Sequence, residues 1–208
     1  MDNFKLKPLY LFPIILVIGL SFISSGCNPN DNESAVNNFE ELIMDIYNNE
    51  NFTFSNLSWF LTREEVMEAR NLDEELALSE KGDYLIENGK TFAIGNESLE
   101  QTIVYIFTDD KSDSQFVSGE YLFTTQDKEL FVEFSSRLKT YLQDELPEPY
   151  ANDLEVLDQA NNVSDSATSI MWEGIDGSRL TVSISILQGE IQNEEFLLTI
   201  KSTAPHDK

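Results

Sequence analysis

Leu180-Thr181-Val182-Ser183-Ile184-Ser185-Ile186 decides the fold: aliphatic side chains take every second position and hydroxyl side chains fill the gaps. A strand turns successive side chains to opposite faces, so this stretch has one face for a core and one for water. Sheets wetted on one side are antiparallel, and their other side must be covered by helices.

Working outward, Asp176-Gly177 turns a preceding strand, Ser169–Trp172, into this one, and Phe196–Ile200 reads as a third. Four more strands come earlier. Tyr84–Glu87 and Thr91–Ile94 read as a hairpin through Asn88-Gly89, a dipeptide that favours tight turns. Gln101–Phe107 (QTIVYIF) is apolar on both faces, and Phe116–Phe123 (FVSGEYLF) follows, with Gly119 marking a bulge. Between the runs lie helices. Val36, Phe39, Leu42, Ile43, Ile46 and Tyr47 recur at helical spacing and predict a helix over 35–49. Thr62 and Glu65 form a capping box that opens a helix over 63–70. Leu130, Phe131, Phe134, Leu138, Tyr141 and Leu142 place a third helix over 126–146, stopped by Pro147 and Pro149. Residues 152–165 carry little pattern and read as a loop. The expected fold is α+β, an antiparallel sheet of about six to seven strands packed by two or three helices.

The first 26 residues have the three parts of an export signal: Lys5 and Lys7, an apolar run from Leu9 to Phe22, then small residues. The run is short of the roughly 20 apolar residues that a membrane span needs. Ile23-Ser24-Ser25-Gly26 before the lone Cys27 resembles a bacterial lipobox, with Ser24 at a position commonly aliphatic. That resemblance implies signal peptidase recognition through Ile23, Ser24, Ser25 and Gly26, and lipidation of Cys27. Two acyl chains hold a protein firmly on a bilayer, and an exported chain with one unpaired cysteine needs an account of its thiol. Residues 27–34 are polar and read as a flexible tether, 35–202 as a single α+β domain, and 203–208 as a disordered tail.

Removing the leader, which carries Asp2, Lys5 and Lys7, leaves 182 of the 208 residues and a net charge of −26 against −25 for the whole chain. This field repels nucleic acid and anionic headgroups, so no nucleic-acid partner is expected. No catalytic residue is nominated. The one histidine is His206, which leaves serine or cysteine nucleophiles without an imidazole base and histidine-rich metal sites without ligands. Asp109-Asp110-Lys111-Ser112-Asp113 has the acidity of a calcium loop but lacks the glycine and terminal glutamate of an EF-hand, and reads as a solvated turn. No metal and no cofactor is expected. The aromatic cluster Phe52, Phe54, Trp59 and Phe60 reads as a staple and core beside a helix start.

Phe54-Ser55-Asn56-Leu57-Ser58-Trp59 with Thr62-Arg63-Glu64-Glu65-Val66 resembles the opening of a group of small bacterial proteins, many of them lipoproteins. There a Trp-Gly pair precedes a Ser/Thr-x-Glu-Glu-Val helix; here Phe60 stands where that glycine would be. Tyr105-Ile106-Phe107-Thr108-Asp109 and Gly119-Glu120-Tyr121-Leu122-Phe123 resemble that group's later strands. The plan is similar to small outer-membrane assembly lipoproteins and β-lactamase inhibitor proteins, which implies a binding module rather than an enzyme. The expected function is a membrane-anchored extracytoplasmic lipoprotein, non-catalytic, for binding or scaffolding. Its expected partners are the lipid bilayer through acylated Cys27 and an envelope protein, met on the wet face around Thr181, Ser183 and Ser185. The alternative is a carboxylate-dependent cell-wall glycoside hydrolase.

Overall fold

Eight strands and three α-helices are built by these patterns in a computed structural model, which describes residues 38–72, 83–108, 114–162, 168–188 and 194–206. In chain order they are α1 (Asn38–Ile46), β1 (Tyr47–Asn48), β2 (Asn51–Phe52), α2 (Arg63–Arg70), β3 (Tyr84–Ile94), β4 (Glu97–Phe107), β5 (Phe116–Thr125), α3 (Lys128–Glu145), a 3₁₀ segment (Leu154–Asn162), β6 (Thr168–Glu173), β7 (Arg179–Gln188) and β8 (Glu194–Thr203). Six strands form one antiparallel sheet in the order β3-β4-β5-β8-β7-β6. The fold class is α+β. The sheet is two three-strand meanders, each preceded by helix, joined where β5 pairs with β8. The described residues belong to one compact unit, Ala35–Lys208.

Period two sets which face each strand buries. In β7, Leu180, Val182 and Ile184 are buried while Thr181, Ser183 and Ser185 are half-exposed. Tyr105, Tyr121, Phe123, Leu198, Ile200 and Trp172 join the same buried face. The helices close it. Phe39 of α1 packs on Phe92, Phe134 and Tyr141 at ring separations of 5.0, 5.6 and 5.1 Å, clamping α1 between β3 and α3.

Five local expectations are corrected. Asn88-Gly89 does not turn a hairpin: β3 runs through it, and the pairing shifts there, from Glu87↔Ile103 to Lys90↔Gln101. The dipeptide supplies a bulge, with Gly89 at φ +73°, that moves the buried set from Leu85 and Glu87 to Phe92 and Ile94. The hairpin turn lies further on, at Gly95-Asn96, where Gly95 has φ +60°. The 35–49 helix stops at Ile46, because Tyr47-Asn48 pairs back on Asn51-Phe52 around Asn49 and Glu50, both left-handed. Residues 154–162 are a 3₁₀ helix rather than a loop, since Val156, Leu157 and Ala160 bury against the core. The chain also stays in the sheet past 202: β8 includes Thr203, and the Ala204 amide donates to Val117 O.

Gly119 is the fifth correction. It marks no bulge, since β5 stays in register on both neighbours there, and the β4–β5 shift falls between Ile106 and Phe107. The glycine is required because the Phe54 ring lies where a Cβ would stand. Gly119→Ala is expected to destabilise the domain by about 1–3 kcal/mol in urea unfolding, as overpacking does, and a second change, Phe54→Leu, to recover part of the loss.

Candidate functional site

The loop between β2 and α2 is where the chain departs most from easy backbone geometry. Ser55, Asn56 and Phe60 in it have positive φ, from 52° to 67°, as do Asn49 and Glu50 in the β1–β2 turn just before it, although none is glycine. Each such residue carries a cost, of order 1–2 kcal/mol, so surrounding contacts must hold the loop in place. Trp59 Nε1 donates to Phe52 O at 3.0 Å and its ring stacks on Phe116 at 5.1 Å. The Phe60 amide donates to Phe116 O at 2.9 Å, and the Phe116 amide to Leu61 O at 2.8 Å. Phe54 is fully buried, 4.6 Å from the Tyr121 ring and 5.5 Å from Tyr105. Of the expected aromatic core cluster, Phe52 and Phe54 are buried and Trp59 is half-buried, but Phe60 is 40% exposed. Its left-handed backbone, held from both sides, turns the ring outward.

Beneath this loop lies a polar network on the buried side of β3, β4 and β5. Tyr121 Oη donates to Asp45 Oδ2 at 3.0 Å and shares a hydrogen bond with Ser55 Oγ at 2.8 Å. Asn56 Nδ2 donates to the other Asp45 oxygen at 2.6 Å. Alongside, Tyr105 Oη donates to Glu87 Oε1 and accepts from Arg70 Nε at 2.8 Å. Arg70 Nε and Lys90 Nζ stand 3.6 and 3.7 Å from the Glu87 carboxylate, which is buried. Arg70 reaches the network because the left-handed cap at Asn71 ends α2 there.

Burial sets the protonation of this cluster. It pushes the Tyr121 hydroxyl well above its usual range, aided by the Asp45 charge. It also raises Tyr105, with the Glu87 hydrogen bond adding to the shift. For Arg70 burial works downward, but Tyr105 and Glu87 outweigh it and the guanidinium is held more firmly protonated. Burial raises Asp45, against the opposing pull of the Tyr121 hydrogen bond and of Arg70. The arrangement therefore stores two carboxylates, each tied to a tyrosine that stays protonated. Sequence reading missed it, because its eight residues are spread from Asp45 to Tyr121. Glu87 was its one signal: a charge at a period-two core position.

The opposite face of the sheet differs in character. Thr181, Ser183 and Ser185 lie on it as expected, beside Thr199, Thr203 and Met171. Its central charges pair internally, Lys201 with Glu120 at 2.7 Å and Arg179 with Glu173 at 3.7 Å. Toward one end of the same face Glu100 and Glu195 lie close enough that the Glu100 charge, after burial, raises Glu195. His206 is exposed beyond β8. Cys27, Ile23, Ser24, Ser25 and Gly26, and the Asp109–Asp113 loop, lie outside the described residues. Among the described residues no group of three or more histidine, cysteine, aspartate or glutamate side chains could hold a metal ion. No described helix is long and apolar enough to cross a membrane. No family model matches the chain, and no curated protein or solved structure matches it at a significant level.

The Asp45 and Glu65 carboxylates are expected to give opposite pH signatures. Asp45 is raised above its ordinary 3.8, so its contribution to stability is full below that value and is lost as pH rises through the folded value. Glu65 is lowered from 4.5 by the Thr62 amide and hydroxyl, so its contribution is present above 4.5 and is lost as pH falls. In urea unfolding across pH, Asp45→Asn should therefore gain on the parent as pH rises from acid to neutral. Glu65→Gln should lose on it over the same range. Parallel profiles for parent and Asp45→Asn would contradict the placement of Asp45.

Proposed function

We propose that the chain is a lipoprotein anchored through acylated Cys27 on the extracytoplasmic face of the cell membrane, acting there as a non-catalytic binding or scaffolding module. The observation that carries the binding half is the open face of the six-stranded sheet. Its strands present hydroxyls, a few aliphatic side chains and, at its centre, two internally paired charges, so a partner docking on the centre meets ions that already have counter-ions. Such a surface can bury an area of the size that specific complexes use, about 800 Å² per partner. The polar network on the other side supports the non-catalytic half. Asp45 and Glu87 both have their oxygens engaged by side chains of the same fold, which suits fixing a loop better than turning over a substrate. The anchor rests on the leader, the small residues before Cys27 and the resemblance to bacterial lipoproteins.

Labelled palmitate should enter the full-length chain in producing cells, and Cys27→Ser should abolish the label and release the protein from membranes. A photo-crosslinker at Thr181 should capture an envelope protein, whereas one at exposed Thr140 on α3 should not. Replacing Thr181, Ser183 and Ser185 with lysine should cut that capture. Unchanged capture, or a cleared zone when the purified domain is run on cell-wall polymer, would contradict this function and favour the hydrolase.

A further inference from the structure

Phe60 combines two costs that a glycine would remove. A bulky aromatic rarely takes φ +67°, and this one also leaves 40% of its surface in water. Its backbone is held by the hydrogen bonds that Phe60 and Leu61 make to Phe116, whose ring is in turn covered by Trp59. A strained, exposed aromatic held on a rigid support is what an interface anchor requires, because little side-chain freedom is lost on binding.

Its surroundings define the occupant. Phe60 lies at the end of the sheet where β5 starts, and the β6–β7 turn at that same end exposes Ile175 at 73%. The Ile175 amide donates to Glu50 O at 3.1 Å, which ties this turn to the left-handed β1–β2 turn. Glu50, Glu64 and Asp176 are exposed here. Among the described residues the neighbouring arginines are engaged: Arg63 lies over the Phe107 ring at 5.1 Å, and Arg179 pairs with Glu173. An acidic rim around apolar anchors, on a chain of net charge −25, favours a cationic surface and repels nucleic acid and anionic lipid.

We propose that Phe60 and Ile175 anchor a second docking surface at this end of the sheet, for a polypeptide whose apolar pocket is rimmed by lysine or arginine. This inference rests on the reading of the chain as a binding module, but on a different face from Thr181. The test uses the full-length chain in producing cells, with a benzophenone amino acid at position 175 and sequencing of the crosslinked peptide. A peptide rich in lysine and arginine around the crosslinked residue is expected. Its yield should fall about tenfold or more with Phe60→Gly, as for loss of an anchor, and also with Glu50→Lys and Glu64→Lys together. The purified Phe60→Gly domain should melt no lower than the parent, which separates lost contact from lost folding; should it melt lower, Phe60→Leu serves in its place and must show the same drop. Crosslinks to lipid, to wall polymer or to an acidic segment would overturn the inference, as would a yield indifferent to Phe60. If position 175 captures nothing while Thr181 still captures a protein, this anchor falls and the binding module stands; if neither captures anything, both fall.

Discussion

Much of this structure depends on one contact, the Phe54 ring lying over Gly119 between two buried tyrosines. A side chain at 119 would occupy the ring's space, so the strand must carry glycine at that point. With the ring in place, Tyr105 and Tyr121 are separated from water, and their hydroxyls turn to the nearest acceptors, Glu87 and Asp45. The same ring pins the loop that continues into Ser55, Asn56 and Phe60, whose left-handed backbone would relax without it. Packing, polar network and strained loop thus hang on one apolar insertion.

The consequence is a domain with two unlike sides. On the helix side, carboxylates and tyrosines are consumed in holding the loop, with Arg70 and Lys90 balancing Glu87. On the other side, a run of Thr and Ser is interrupted by two ion pairs, Lys201 with Glu120 and Arg179 with Glu173. The open sheet therefore offers an approaching macromolecule a mixed surface, with hydroxyls and ion pairs at its centre and the Glu100 and Glu195 carboxylates toward one end. That asymmetry gives physical content to a binding role, and it follows from the alternation in Leu180–Ile186 carried across neighbouring strands.

Alternation and capping made the fold legible. The capping box at Thr62 and Glu65 is present as read, with Thr62 accepting from Glu65 N and Glu65 accepting from the Thr62 amide. The β7 strand lies with the face assignment its residues announce. Turn chemistry was less decisive, because Asn88-Gly89 and Gly95-Asn96 are both competent turns. Only the pairing of Phe92 and Ile94 with Leu99 and Glu97 selects the second. The 3₁₀ segment was illegible because its three buried residues, Val156, Leu157 and Ala160, make too short a pattern for helical spacing to register. The polar network was illegible for a different reason: it is assembled by sheet register, which brings β3, β4 and β5 side by side under a loop from residues 53–57. Glycine at 119 was visible, but its purpose belongs to a partner 65 residues earlier, Phe54.

Native-state hydrogen exchange followed residue by residue tests the central claim most directly. If Phe54 locks the loop to β5, the amides of Thr53, Leu57, Phe60 and Phe116, all hydrogen-bonded in the fold, should open only with the sheet. Their opening free energies should match those of Tyr121 and Phe123 and fall together as urea is added. Amides of the loop that exchange by a separate opening, with β5 still protected, would show that the loop is merely laid on the sheet and would contradict the account.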